Sequence, residues 1–324
     1  MLQETIDRVL PLIPVDRIIV VTSNDIMPLI LNEIDNLKPE NILAEPFGRD
    51  TCLAIGLAAE HIRKIDPNGV MVVLSADHII RPQEKLLDII KVGAQIAAEE
   101  DKLITIGIDP TRPETAYGYI KLADMYKSIE GIPVYEVDSF TEKPKVAVAQ
   151  QYYYGRKHLW NSGMFIWSVN SVLSAINQCQ PDMGGQLDEY ALKIGSGDEN
   201  TARRTLYEKA SPISIDFAVL ESAENVLAIK GDMVWDDVGS WNALERYKNK
   251  DMNNNVVVGN ARVADSYETT IYNETEGIIV TLGVSDLVVV KTDDTVLVAH
   301  KTKVNEVKQV IKELAQEEAY KKYL

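Results

Sequence analysis

Val70-Met71-Val72-Val73-Leu74-Ser75-Ala76-Asp77-His78 is an apolar run that stops on a carboxylate and an imidazole. A short, uninterrupted, β-branched run of this kind fits a strand buried on both faces. Its flanks agree. Cys52 to Ile65 is rich in Ala and Leu and reads as a helix that Asp50 or Thr51 can cap, and Glu84 to Glu99 reads as a second helix. Upstream, Arg17 to Thr22 and Asn41 to Ala44 are further strands, with a helix from Asp25 to Ile34 between them; downstream, Leu103 to Ile108 is another strand. Strands alternating with helices predict an α/β fold with a mostly parallel, doubly wound sheet. In open sheets of this class ligands bind beyond the carboxyl ends of the strands, where Asp77 lies.

Composition narrows the function. The 324 residues are 46% hydrophobic and 25% charged, as in ordinary globular proteins. A net charge of −16 argues against nucleic acid, whose binding needs a basic footprint. No stretch is apolar over the roughly 20 residues a membrane helix needs. Two cysteines, Cys52 and Cys179, suggest neither a disulfide framework nor a metal cluster, and a reducing cytoplasm is the expected location.

Beyond Ile108 the pattern becomes mixed. Tyr119 to Leu122, Val134 to Phe140 and Met164 to Trp167 read as strands; Val146 to Tyr154, Val172 to Gln178, Leu187 to Ile194 and Thr201 to Ala210 read as helices. After the polar break Asp251-Met252-Asn253-Asn254-Asn255 come five short β-rich segments, spaced about 8–12 residues apart, that predict a small all-β module. An amphipathic helix from about Val304 to Tyr320 closes the chain, with Val304, Val307, Val310, Ile311 and Leu314 on one face. The expected division is residues 1–250 and 251–324.

Several constellations carry chemistry. Asp237, in Trp235-Asp236-Asp237-Val238-Gly239-Ser240-Trp241, is a second carboxylate at a strand end; with Asp77 it could hold one Mg²⁺ against a polyphosphate. His78 is a ligand, a partner of Asp77, or a polar strand end. Glu45-Pro46-Phe47-Gly48-Arg49-Asp50-Thr51 joins a strand to a helix. A carboxylate there could accept the N–H/NH₂ edge of guanine, which uracil and thymine lack; otherwise the stretch is a turn and a cap. Gly118, in Thr115-Ala116-Tyr117-Gly118-Tyr119-Ile120, allows close approach of a ligand or marks a bend. Phe140-Thr141-Glu142-Lys143-Pro144 supplies a carboxylate for hydroxyls and an ammonium for phosphate, on opposite sides if the strand continues, or else a surface ion pair. Asn161, in Trp160-Asn161-Ser162-Gly163-Met164, suits a sugar hydroxyl, and Asp216 and Glu221 add polar groups of no assigned use.

In this order the motifs Glu45-Pro46…Arg49-Asp50-Thr51, Ser75-Ala76-Asp77-His78, Tyr117-Gly118-Tyr119, Phe140-Thr141-Glu142-Lys143-Pro144, Trp160-Asn161-Ser162-Gly163-Met164 and Trp235 to Trp241 closely resemble the mannose-1-phosphate guanylyltransferases, sugar-nucleotide transferases with a glycosyltransferase-A-like (Rossmann-like) fold. The resemblance covers nearly the whole chain. It implies a mixed sheet with helices on both faces, followed by a short left-handed β-helix, and transfer of GMP from GTP to α-mannose 1-phosphate with release of pyrophosphate. It further implies Asp77 and Asp237 as Mg²⁺ ligands, with Asp236 the alternative to Asp237, and Glu45 at the base. Pro46, Arg49, Thr51 and Ala76 would line the nucleotide, Gly118, Glu142 and Asn161 the mannose, and Lys143 would meet the sugar phosphate. A homodimer is expected. The alternatives are a non-catalytic regulatory homologue and a transferase for another hexose 1-phosphate.

The family's glycine-rich loop, of the type G-G-x-G-T-R-L-x-P, and the later P-K-Q do not occur in the chain. The expectation is that Met1 is an internal methionine and that the chain as written has weak or no activity, because a lost central strand leaves unpaired backbone and a lost loop leaves the triphosphate without its charge clamp. A natural variant without catalysis is the other reading.

Overall fold

A computed structural model describes residues 1–34 and 36–323. They form two compact units, Met1 to Trp235 and a second beginning at Asp236.

The first unit opens with α1 (Leu2–Val9), β1 (Val20–Ser23), α2 (Met27–Glu33), β2 (Ile42–Glu45), α3 (Asp50–Ile65), β3 (Val70–Val73), β4 (Ile79–Arg81), α4 (Gln83–Glu99) and β5 (Leu103–Ile108). It continues through β6 (Tyr119–Ile129), β7 (Ile132–Thr141), α5 (Val146–Gly155), β8 (His158–Ser168), α6 (Val169–Cys179), α7 (Pro181–Ala191), α8 (Glu199–Lys209), a π turn at Asp216–Leu220 and β9 (Val226–Gly231). The main sheet has the order β3-β8-β5-β9-β7-β6. Only β5 and β9 are parallel neighbours; β3–β8, β5–β8, β7–β9 and β6–β7 are antiparallel. The mixed sheet holds, and the mostly parallel, doubly wound arrangement does not. The reason is β8, which runs between β3 and β5 in the opposite direction, and the long β6–β7 hairpin, which local sequence reveals only in part. β1 and β2 pair in parallel as a separate two-stranded sheet.

Period-two alternation feeds two cores. Leu103, Phe165, Trp167, Val226 and Ala228 face one side and pack with α3, α6 and α7. Their neighbours Ile104, Ile106, Ile166, Leu227 and Ile229 face the other side and pack with α4. Each such side chain, fully buried, contributes about 1.5–3 kcal/mol. All six residues of β5 are buried, which is why it reads so clearly as a strand. Helices therefore cover both faces, as expected.

The second unit contains α9 (Leu244–Tyr247) and a stack of short strands, following β10 (Val234–Asp236), which reaches the division between the units. β11 (Val256–Val258), β13 (Thr270–Asn273) and β15 (Leu287–Lys291) pair in parallel and in register, and β12 (Ala261–Ala264) does the same with β14 (Ile279–Leu282). Two parallel ladders built from successive turns of chain make a β-helix-like coil around Ile271, Ile279 and Val289. Buried asparagines close its corners: Asn273 Nδ2 donates to the Asn260 and Gly277 carbonyls at 2.8 and 2.6 Å. β12 is the strand the sequence pattern misses, because Ala-Arg-Val-Ala carries little β signal. β16 (Val296–His300) caps the coil by pairing antiparallel to β15. The terminal helix α10 is shorter than expected, Val307–Leu314, behind a 3₁₀ segment at Lys301–Glu306. Val304 is buried, but Val310 and Ile311 are about half exposed, so most of the expected apolar face is uncovered.

Candidate active site

The residues expected to line the sugar and meet its phosphate converge. Gly118 lies just before β6, Asn161 within β8, and Glu142 and Lys143 just after β7. The Asn161 amide N–H donates to the Gly118 carbonyl at 2.8 Å, fixing the two side by side. A Cβ on Gly118 would collide with Glu142 Oε2 and press on Asn161 Cβ and Phe140, so glycine is required for close approach here. The Glu142 side chain is 7% exposed, and its Oε2 is buried without a hydrogen-bond partner. An acceptor placed so calls for a donor, since leaving it unsatisfied costs about 1–3 kcal/mol or more.

Lys143 does not point away from Glu142. Its φ is +47°, which ends the strand alternation and turns the ammonium back onto Glu142 Oε1 at 2.6 Å. This conformation is costly for a residue preceding proline, by about 1–3 kcal/mol, and such strain clusters at functional sites. Burial works against the ammonium's charge, but Glu142, Asp216 and Asp50 outweigh it and hold its pKa above the ordinary value.

Two further residues belong to this cluster. Asn161 Nδ2 donates to Asp216 Oδ1 at 2.7 Å, and Asn161 Oδ1 accepts from Thr105 Oγ1 at 3.0 Å. Burial and the neighbouring Glu142 push Asp216 up to about 6. Glu221 accepts the Glu142 backbone N–H at 3.0 Å and so anchors the end of β7. The signal for Asp216 was its place in Ser-Ile-Asp-Phe, but nothing local says it meets Asn161, 55 residues away.

The stretch after β2 behaves differently. Glu45 is half-buried; its Oε1 accepts the Tyr207 hydroxyl at 2.9 Å, and burial, partly offset by that bond, raises its pKa. Arg49 Nε donates to the Tyr207 carbonyl at 2.7 Å, and its guanidinium lies 4.6 Å above the Phe47 ring. Thr51 Oγ1 accepts the Ile215 N–H at 2.9 Å. The expected cap is absent: α3 starts at Asp50 without a side-chain cap, because Thr51 is engaged elsewhere and Asp50, at φ +66°, accepts from the adjacent Thr51 N–H. Arg49 and Thr51 thus brace the scaffold, and Pro46 shapes the turn.

Asp77 lies in the loop between β3 and β4, beyond the strand end rather than on it, with a side chain 64% exposed. Ala76 accepts from Thr5 Oγ1 at 3.2 Å, and the His78 carbonyl accepts from Arg8, so α1 holds this loop. His78 itself is buried. The Trp235 indole N–H donates to its Nδ1 at 3.2 Å, so the neutral ring carries its proton on Nε2, 4.0 Å from Asp77. At 4.0 Å His78 and Asp77 are neighbours beyond hydrogen-bond length.

Asp237 belongs to the second unit, so the two proposed metal carboxylates fall on different units. Within the second unit the adjacent pair is distinguishable. Asp236 is buried and takes Arg246 on both oxygens at 2.5 and 2.7 Å; burial opposes its charge, but Arg246 holds its pKa below the ordinary value. Asp237 is half-exposed and accepts the Gly239 N–H at 3.2 Å. Asp236 is thus committed to Arg246. Among the described residues no group of three or more His, Cys, Asp or Glu is arranged to hold a metal ion. Asp77 and Asp237 each present carboxylate oxygens reachable from solvent, the kind of group Mg²⁺ takes beside water and phosphate.

With this geometry in place, family comparison is decisive. Residues 1–254 match the nucleotidyl transferase family, and residues 254–314 match the MannoseP isomerase/GMP-like beta-helix domain. The chain belongs to the nucleotidyl transferase family. Among its relatives, a mannose-1-phosphate guanylyltransferase of Klebsiella pneumoniae is 34% identical over 98% of this chain and 67% of its own length. One of Escherichia coli K12 is 35% identical over 86% of this chain and 59% of its own. A crystal structure described as a mannose-1-phosphate geranyltransferase from Thermus thermophilus is 33% identical and superposes with a TM-score of 0.82, covering 97% of this chain and 88% of that one. The chain spans 58–67% of the length of these and other curated relatives. Among the described residues no helix is long and apolar enough to cross a membrane.

Proposed function

We propose that the protein is a mannose-1-phosphate guanylyltransferase, forming GDP-mannose and pyrophosphate from GTP and α-mannose 1-phosphate. The observation that carries this reading is the buried Glu142 Oε2, without a partner among the described residues, beside the Lys143 ammonium: one group for a hydroxyl and one for a phosphate. In this reading a sugar hydroxyl donates to Glu142, and Lys143 moves from Glu142 to the sugar phosphate, orienting it for in-line attack on the α-phosphorus of GTP. The bond from that phosphorus to the bridging oxygen breaks, and pyrophosphate leaves. Glu45, ionised and steadied by Tyr207, accepts the N–H edge of guanine. Asp77 and Asp237 are each proposed as a carboxylate for Mg²⁺, which would neutralise phosphate charge when bound.

Residues 1–250 are proposed as the catalytic part and 251–324 as an accessory β-helix-like module, in a cytoplasmic homodimer. The test is pyrophosphate release with GTP and mannose 1-phosphate in Mg²⁺, run against UTP, dTTP and glucose 1-phosphate. The 324-residue chain, which does not contain the family's glycine-rich loop, is expected to turn over weakly or not at all, and any turnover should need GTP and mannose 1-phosphate; equal turnover with UTP would remove Glu45 from base selection. Absence of turnover together with absence of mannose 1-phosphate binding would end the reading.

A further inference from the structure

We propose that Asp216 is a specificity-determining positioning residue, which locks the Asn161 amide in one of its two orientations so that it reads a hexose hydroxyl. The proposal rests on the reading of this cluster as the hexose 1-phosphate subsite. A side-chain amide has two orientations of nearly equal shape, and only its partners choose between them. Asn161 has three. Thr105 Oγ1 lies 3.0 Å from Oδ1, but a hydroxyl donates or accepts and cannot choose. The Gly163 N–H, 3.3 Å from Oδ1, is a donor only. Asp216 Oδ1, 2.7 Å from Nδ2, is an acceptor only while ionised. The backbone contact is long, so the carboxylate makes the stronger choice.

The ionised group is held there against its environment. Burial and Glu142 both oppose its charge. Asp216 is carried by a π turn, Asp216–Leu220, a local widening of helix that recurs at functional sites. With Nδ2 committed through one hydrogen to Asp216, its second hydrogen is the group that a sugar oxygen would accept from. Glu142 Oε2 supplies the opposite sense, accepting from a hydroxyl. One donor and one acceptor at fixed places distinguish hexoses that differ in the direction of a single hydroxyl, because the wrong epimer leaves a buried group unpaired.

The experiment is calorimetric binding of α-mannose 1-phosphate, α-glucose 1-phosphate and GDP to the 324-residue chain and its Asp216→Ala, Asp216→Asn and Thr105→Val variants. Asp216→Ala is expected to weaken mannose 1-phosphate by about tenfold or more and to bring the mannose-to-glucose preference toward one. Asp216→Asn, which keeps an acceptor, should recover to within about threefold, and Thr105→Val should change little. GDP affinity should stay level throughout. Unchanged mannose 1-phosphate affinity in Asp216→Ala overturns the proposal. So does an equal loss in Asp216→Asn and Asp216→Ala, which would assign the effect to charge, or a parallel loss of GDP binding, which would assign it to folding. A parent chain that binds neither hexose phosphate overturns the subsite reading and this proposal together; a parent chain that binds and discriminates, with indifferent variants, overturns this proposal alone.

Discussion

The turn after β2 and the turn after β7 look alike in sequence: each follows a strand and carries a carboxylate, a basic residue and a proline. Their structures differ. After β2, Arg49 Nε and Thr51 Oγ1 bond to the Tyr207 carbonyl and the Ile215 N–H, and Glu45 accepts the Tyr207 hydroxyl. After β7, Lys143 folds back onto Glu142, and the other Glu142 oxygen is buried with no partner among the described residues. Unsatisfied polarity, strain at Lys143 and a glycine required by approach all lie on the second turn. A motif's residue types therefore do not separate ligand groups from scaffold; the distribution of satisfied and unsatisfied hydrogen bonds does.

The comparison breaks most sharply at Gly118. Gly118→Ala is expected to displace Glu142 Oε2 and cut mannose 1-phosphate affinity by about 10–100-fold, with a loss of about 1–3 kcal/mol in stability from overpacking and GDP affinity nearly unchanged. Calorimetry with both ligands checks this, and a matched loss of GDP binding would erase the distinction between the two turns. For Arg49→Ala, denaturant unfolding is expected to show a loss of about 1–3 kcal/mol from the Tyr207 bond and the Phe47 contact, with mannose 1-phosphate binding intact. Thr51→Val, which strands the Ile215 N–H, should cost about 1–2 kcal/mol in the same assay.

Smaller effects concern protons. Asp216 has a folded pKa raised to about 6 from an ordinary 3.8. The sign follows from linkage: the native state binds the proton more tightly, so this group's stabilising contribution is full below about pH 4 and is lost as pH rises through about 6. Asp216→Asn should therefore melt higher than the parent at pH 7.5, with the gap closing toward pH 4; thermal melts across that range test it, and a constant gap would refute it. Tyr207→Phe removes a bond that favours ionised Glu45, so it should raise the Glu45 pKa further. The expected outcome is GDP binding that weakens at a higher pH than in the parent, while mannose 1-phosphate binding keeps its pH profile.

Much of the fold was legible. β5 and β11 were read to the residue, and α3 and α4 to within two, because continuous apolar runs and helical periodicity are local signals. The direction of β8 was not legible, since a strand's own pattern is the same whichever way its neighbours run. Most of β7 was read, but β6 was read only at its start because Ala123 to Ser128 faces solvent over much of its length and lacks an apolar run. At the site, the motifs located Gly118, Glu142, Lys143 and Asn161. They did not reveal Asp216 or Tyr207, whose partners lie 55 and 162 residues away.

By itself the sequence determined the element types, the two-part organisation and the chemical inventory of carboxylates, amide and ammonium, because each depends on residues close together in the chain. Only the tertiary structure decided where those groups bond: that Arg49 Nε and Thr51 Oγ1 meet Tyr207 and Ile215, that Asp236 is committed to Arg246, and that Glu142 Oε2 is buried with no partner among the described residues. Hydrogen-bond satisfaction depends on what the fold brings within about 3 Å, and for these side chains the deciding partners come from other strands and helices.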